Sequence, residues 1–206
     1  MRSMQGKFAL LVGAVVTASA ALAQDVPTEQ EAVRRAIHVC AACHGDGGRS
    51  QTASVPSLAG QMRQYTIAQL KDFRSQTRAE TGTRAYMWGV SALLDDAMIV
   101  GLADYYAAQA PAGGKPGKPA LVQTGRRIFV EGAPARGVRA CASCHGSGGE
   151  GAAGFPRLAG QRADYVYGQL KVFGTQLRSH GVVMQGEVKA MTPAEMRAVA
   201  EYVQSL

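Results

Sequence analysis

The sequence predicts an all-α protein made of two copies of one helical domain. Three observations carry this. Short motifs return in the same order about 100 residues later. Within each copy, apolar and aromatic side chains fall three and four apart, the period of a helix buried along one face. The connecting segments are rich in glycine and lack the alternation of a strand.

The repeat is read directly. CAACHG at 40–45 returns as CASCHG at 141–146. Pro56-Ser57-Leu58-Ala59-Gly60-Gln61 returns as Pro156-Arg157-Leu158-Ala159-Gly160-Gln161. Tyr65, Gln69-Leu70-Lys71 and Phe73 match Tyr165, Gln169-Leu170-Lys171 and Phe173. Leu102-Ala103-Asp104-Tyr105 corresponds to Val199-Ala200-Glu201-Tyr202. An ordered set of this kind marks an internal duplication.

Between the copies, 111–119 is Pro-, Gly- and Lys-rich and is expected to be extended and solvated. The expected domains are therefore 24–110 and 121–206, joined by a linker at 111–120. Helices are expected at 28–43 and 121–131, at 62–78 and 162–178, and at 95–107 and 192–204. Thr192, Pro193 and Glu195 form a capping box with proline at the first helical position. The second copy inserts a Gly/Pro/Ala/Arg detour at 132–139, expected as a surface loop.

The N-terminus reads as a secretory leader. Arg2 and Lys7 precede an apolar run at 8–16, and Ala21-Leu22-Ala23 is a cleavage pattern, so 1–23 is expected to be removed. That implies export to the periplasm. No later segment is long and apolar enough to span a bilayer.

The 206 residues carry a formal charge of +7. Residues 24–110 hold eight basic and nine acidic side chains, and 121–206 hold ten and six. The basic residues are scattered along an exported chain, which speaks against nucleic-acid binding. The more basic second half suits an acidic partner surface.

All four cysteines sit in Cys-x-x-Cys-His, the attachment signature of c-type haem. Two thiols bond the haem vinyl groups, and the adjacent histidine is placed under the iron. Cys40, Cys43 and His44 would serve one haem; Cys141, Cys144 and His145 would serve another. A disulfide within Cys-x-x-Cys closes too small a loop to staple a domain. Zinc wants four N/S ligands per site, more than either half offers.

For the far side of each iron, methionine is the stronger candidate. Met87 and Met184 each lie seven residues before the start of a matching final helix, at Leu94 and Met191. Both follow glycine-containing connections, so a loop-borne thioether is expected as axial ligand, which raises haem potential. His38 lies too close to the attachment motif, and His180 has no counterpart in the first copy. Met98 and Met196 read as core residues, and Met191 as an apolar helix-start contact. Pro56 and Pro156 follow their histidines by 12 and 11 residues. Each offers a carbonyl that could fix the histidine tautomer, or a plain turn. Arg63 and Arg162 could pair with propionates or remain solvated.

With these motifs the chain resembles the dihaem c4-type cytochromes c over essentially its whole mature length. The resemblance implies a tandem duplication of two class I cytochrome c domains with a pseudo-twofold relation. It implies two covalently bound haem c groups, held by Cys40, Cys43, His44 and Met87 and by Cys141, Cys144, His145 and Met184. It places the carbonyls of Pro56 and Pro156 against the axial histidines. Such proteins carry electrons between periplasmic or membrane-bound partners, often toward a terminal oxidase. The alternatives are an electron-transfer subunit of a dehydrogenase complex, or a dihaem peroxidase or thiosulfate-oxidising enzyme. The paired methionines and the lack of an acid–base constellation speak against catalysis at iron.

Overall fold

The computed structural model describes residues 28–79 and 86–206. The expected leader at 1–23 lies outside them. Among the described residues regular structure is helical, with only isolated β-bridges besides. The first copy contributes α1 (Glu29–His44), α2 (Arg63–Arg74), α3 (Tyr86–Ala92) and α4 (Asp96–Ala107). The second contributes α5 (Pro119–Glu131), α6 (Ala142–His145), α7 (Ala163–Phe173), α8 (Val182–Val188) and α9 (Pro193–Ser205). This is an all-α fold of two tandem helical domains.

Local chemistry sets the helix starts. Thr28 and Glu31 form a capping box on α1, and Thr192 and Glu195 form one on α9. The Asp95 carboxylate accepts the Met98 N–H at 2.7 Å to cap α4. Each domain has its own core. Phe129, Val199 and Val203 anchor the second, and Ile99, Leu102 and Tyr106 the first.

In each domain the first helix crosses the last, and each crossing uses one glycine on opposite partners. A methyl group on Gly101 of α4 would lie 2.6 Å from Val33 of α1. A methyl group on Gly125 of α5 would lie 2.0 Å from the Ala198 carbonyl of α9. Val33 is the register partner of Gly125, and Gly101 of Ala198. The close approach is kept while the small residue changes side.

Two helices end earlier than the sequence expectation. The helices expected to reach 78 and 178 stop at Arg74 and Phe173. Gln76 turns with φ +60°, and the chain then runs across to the other domain. The detour is the expected surface loop, and it is braced. Ala133 and Val138 exchange backbone bonds of 2.8 and 3.2 Å, Val138 is only 2 % exposed, and Arg136 pairs with Glu195. The interdomain segment is largely exposed and without regular structure up to Lys118, as expected, and its backbone is tethered. Lys115 N–H donates to the Gln204 carbonyl at 2.8 Å, and Lys118 N–H to the Glu201 carboxylate at 3.1 Å.

The domains meet through reciprocal contacts that express a pseudo-twofold axis. Gln161 accepts from Ser57 N–H at 2.8 Å and donates to its carbonyl at 2.9 Å. Gln61 does the same to Arg157, at 2.8 and 3.0 Å. All four polar groups are spoken for in the contact, as burial demands.

Candidate functional site

One mainly apolar cavity of about 610 Å³ runs through both domains. Its walls include Cys40, Cys43, His44, Pro56 and Met87 from the first copy, and Cys141, Cys144, His145, Pro156 and Met184 from the second. The volume falls in the range of cofactor sites.

The last turn of α1 presents Cys40, Cys43 and His44. The four-residue α6 presents Cys144 and His145, with Cys141 at its cap. Glycines with φ +76° and +87°, Gly45 and Gly146, end these helices at once. At Gly45 a side chain would meet the Arg49 carbonyl at 2.4 Å, so the chain can turn here only with glycine.

Both histidines are buried, which lowers their affinity for a second proton. His44 Nδ1 lies 2.8 Å from the Pro56 carbonyl oxygen, and His145 Nδ1 lies 3.0 Å from that of Pro156. A carbonyl only accepts, so Nδ1 holds the proton and Nε2 keeps a lone pair. That tautomer is what an axial ligand needs. The four cysteines form no disulfide. Burial pushes the Cys40 thiol up and the Cys141 thiol to about 11, which leaves them protonated and poorly suited to thiol redox exchange. Among the described residues no group of three or more His, Cys, Asp or Glu is placed to hold a bare metal ion. The donor set therefore fits a planar group tethered by two sulfurs and ligated from a histidine. It does not fit a tetrahedral cage.

Met87 and Met184 sit in the first turns of the short helices α3 and α8, and not in loops. The residue after each methionine explains the placement. Trp88 Nε1 donates to the Arg78 carbonyl at 2.7 Å, and Gln185 Nε2 donates to the Arg178 carbonyl at 2.9 Å. Each methionine-bearing helix is thus tied to the segment that crosses between domains.

The other candidates take different places. Met98 packs on the first core, and Met196 lies within the second. Met191 packs on the second core and also lines the cavity. His38 is exposed. His180 is largely exposed, with Nδ1 2.8 Å from an Asp72 carboxylate oxygen of the first domain. Arg63 pairs with Asp104 at the surface. Neither Arg63 nor Arg162 lines the cavity.

Arg78 and Arg178 do line it, and sequence reasoning passed over them. They are 4 % and 6 % exposed, and each guanidinium stacks on a phenylalanine, Phe73 or Phe173, at 4.3 and 4.1 Å. The signal was available. The offset of 100 that relates Pro56 to Pro156 and Phe73 to Phe173 also relates these arginines.

Comparison with known proteins follows the same division. The cytochrome c family model matches residues 32–105 and again 122–206. The chain is 41% identical over 202 residues to cytochrome c-552 of Acidithiobacillus ferridurans, covering 96% of this chain and 85% of that protein. It is 36% identical over 174 residues to a thiosulfate dehydrogenase electron acceptor of Thiomonas intermedia, covering 80% and 76%. The structure of a cytochrome c4 from Acidithiobacillus ferrooxidans superposes with a TM-score of 0.76 at 42% identity, covering 81% of this chain and 98% of that one.

Proposed function

Because this chain belongs to the dihaem, c4-type family of cytochromes c, we propose that His44 and Met87 ligate one haem iron and His145 and Met184 the other. The protein is a periplasmic electron-transfer protein and not an enzyme. The family binds haem c covalently, and Cys40 with Cys43, and Cys141 with Cys144, are the proposed attachment points for one group each. The proposed domain division is 24–110 and 121–206 with the linker at 111–120.

The observation that carries the ligand assignment is the repeated bond from histidine Nδ1 to a proline carbonyl, beside a cavity that also holds both cysteine pairs and both methionines. When bound, each haem supplies an iron centre that exchanges single electrons. The protein's own residues do the rest. The cysteines retain the group, and the prolines fix the ring of each histidine. The methionine thioethers raise the potential, and the apolar walls exclude water. Arg78 and Arg178 bring buried positive charge to the cavity wall, where it suits the haem carboxylates. One cavity through both domains suits transfer between the halves as well as to a partner.

The proposed partners are redox proteins that dock transiently, a respiratory oxidase downstream or a dehydrogenase upstream. The likeness to a thiosulfate dehydrogenase electron acceptor supports the second. Among the described residues no single helix is long and apolar enough to cross a membrane.

The test is a pair of single variants, Met87→Leu and Met184→Leu, in the holoprotein. Each is expected to lower the midpoint potential of one haem and leave the other in place. Potentials unchanged in either variant would overturn the assignment at that iron.

A further inference from the structure

Among the differences between the two sites is a charged pair on the cavity wall of the second. In the second domain, the residue two before the first cysteine is Arg139, and the residue three after the methionine is Glu187. They meet. Arg139 Nε donates to the Glu187 carboxylate at 2.8 Å, its Nη2 joins the same oxygen, and its backbone N–H reaches the other oxygen at 3.4 Å. In the first domain the same positions hold His38 and Val90, which cannot pair in this way. Among the described residues His38 makes no ion pair.

The contact joins two sides of the site. Arg139 belongs to the segment that leads into Cys141 and His145. Glu187 lies one turn after Met184 on α8, on the same helix face. The segment holding Arg139 is itself braced. The Ala133–Val138 bridge closes it, and Val138 is buried on the cavity wall. Arg136 extends it to the Ala190 carbonyl at 3.2 Å and to Glu195 at the start of α9. In the first domain α1 runs without interruption from Glu29 to His44, and among the described residues no such brace exists there.

We infer that the Arg139–Glu187 clamp holds the Met184 helix against the second haem, so that Met184 is harder to displace from its iron than Met87. Arg139 and Glu187 are positioning residues, and they act through α8. The inference rests on the proposed methionine ligation.

The experiment titrates the ferric holoprotein with imidazole and follows the iron-shifted methyl signals of Met87 and Met184 separately by NMR. In the unaltered protein Met87 is displaced at the lower concentration. Glu187→Gln and Arg139→Gln each lower the concentration that displaces Met184 by about two- to fivefold. Met87 is unmoved. The reversed pair, Arg139→Glu with Glu187→Arg, recovers most of the loss. Equal displacement of the two methionines in the unaltered protein overturns the inference. So do variants that leave Met184 unchanged, or that loosen both methionines alike. An unaltered protein that shows no bound Met184 signal overturns the ligand assignment itself, a result read before any variant is made.

Discussion

Arg78 and Arg178 face each other across the domain interface as an antiparallel bridge, and both donate to the same two side chains. Arg78 donates to Gln69 at 2.7 Å and to Gln169 at 3.1 Å. Arg178 donates to Gln169 at 2.7 Å and to Gln69 at 2.6 Å. Two buried guanidiniums therefore share a pair of carboxamide oxygens, with Tyr65 and Tyr165 as further acceptors. The carbonyls of the same two arginines hold α3 and α8. Domain docking and placement of both methionines thus depend on one polar cluster.

Gln169→Leu removes an oxygen that serves both arginines and leaves buried donors short of a partner. The expected cost is about 1–3 kcal/mol. Because the cluster joins the domains, a single unfolding transition in urea should separate into two. A variant that unfolds at the unaltered midpoint, in one step, would contradict this account of the interface.

Gly125 sits where α5 crosses α9. Alanine there would gain about 1 kcal/mol of helix propensity. It would also set a methyl group 2.0 Å from the Ala198 carbonyl, a backbone atom that cannot rotate away. The steric term should win, with a net loss of about 1–3 kcal/mol in Gly125→Ala. Thermal unfolding measures it, and a raised Tm would contradict the close crossing.

Glu195 braces both the detour and the start of α9. Its bonds to Arg136, and then to the Thr192 backbone, hold its carboxyl at about 2, against about 4.3 for an unpaired glutamate. A depressed carboxyl stabilises the fold above the unfolded value, and the contribution fades as pH falls through the folded one. The pair is partly exposed, so its charge contributes about 0.5–1 kcal/mol. Glu195→Gln should be less stable by that amount at neutral pH, and the gap should close between about 4.3 and 2. Urea midpoints across that range check the sign; a gap that persists at low pH would contradict it.

The tandem all-α fold was legible because the duplication states the three main helices of each domain twice. Tyr65 with Tyr165 and Phe73 with Phe173 share one register, and helical spacing does the rest. The candidate site was legible as a set of residues, since the cysteines, histidines, prolines and methionines singled out from the sequence all line one cavity. What was not legible lies in the contacts of the non-repeating and interface segments. The detour at 132–139 is the surface loop that its turn-like composition indicates, with Val138 alone buried. What composition does not encode is its bracing, by Val138 on the cavity wall and by ion pairs to Glu187 and Glu195, 48 and 59 residues away. The methionines were expected in loops because a nearby glycine weakens helix propensity. Trp88 and Gln185 override that by bonding to the carbonyls of Arg78 and Arg178, in the segments that cross between domains. Arg78 and Arg178 were missed because an arginine at the end of an expected helix reads as solvated until its partner copy is placed opposite.

The central claim is that each half holds one haem between a histidine and a methionine. A crystal structure of the holoprotein with iron anomalous scattering tests it most directly. The account predicts two iron peaks per chain, one between His44 Nε2 and Met87 Sδ and the other between His145 Nε2 and Met184 Sδ. A single iron, or an iron with water or another side chain in place of either methionine, would contradict it.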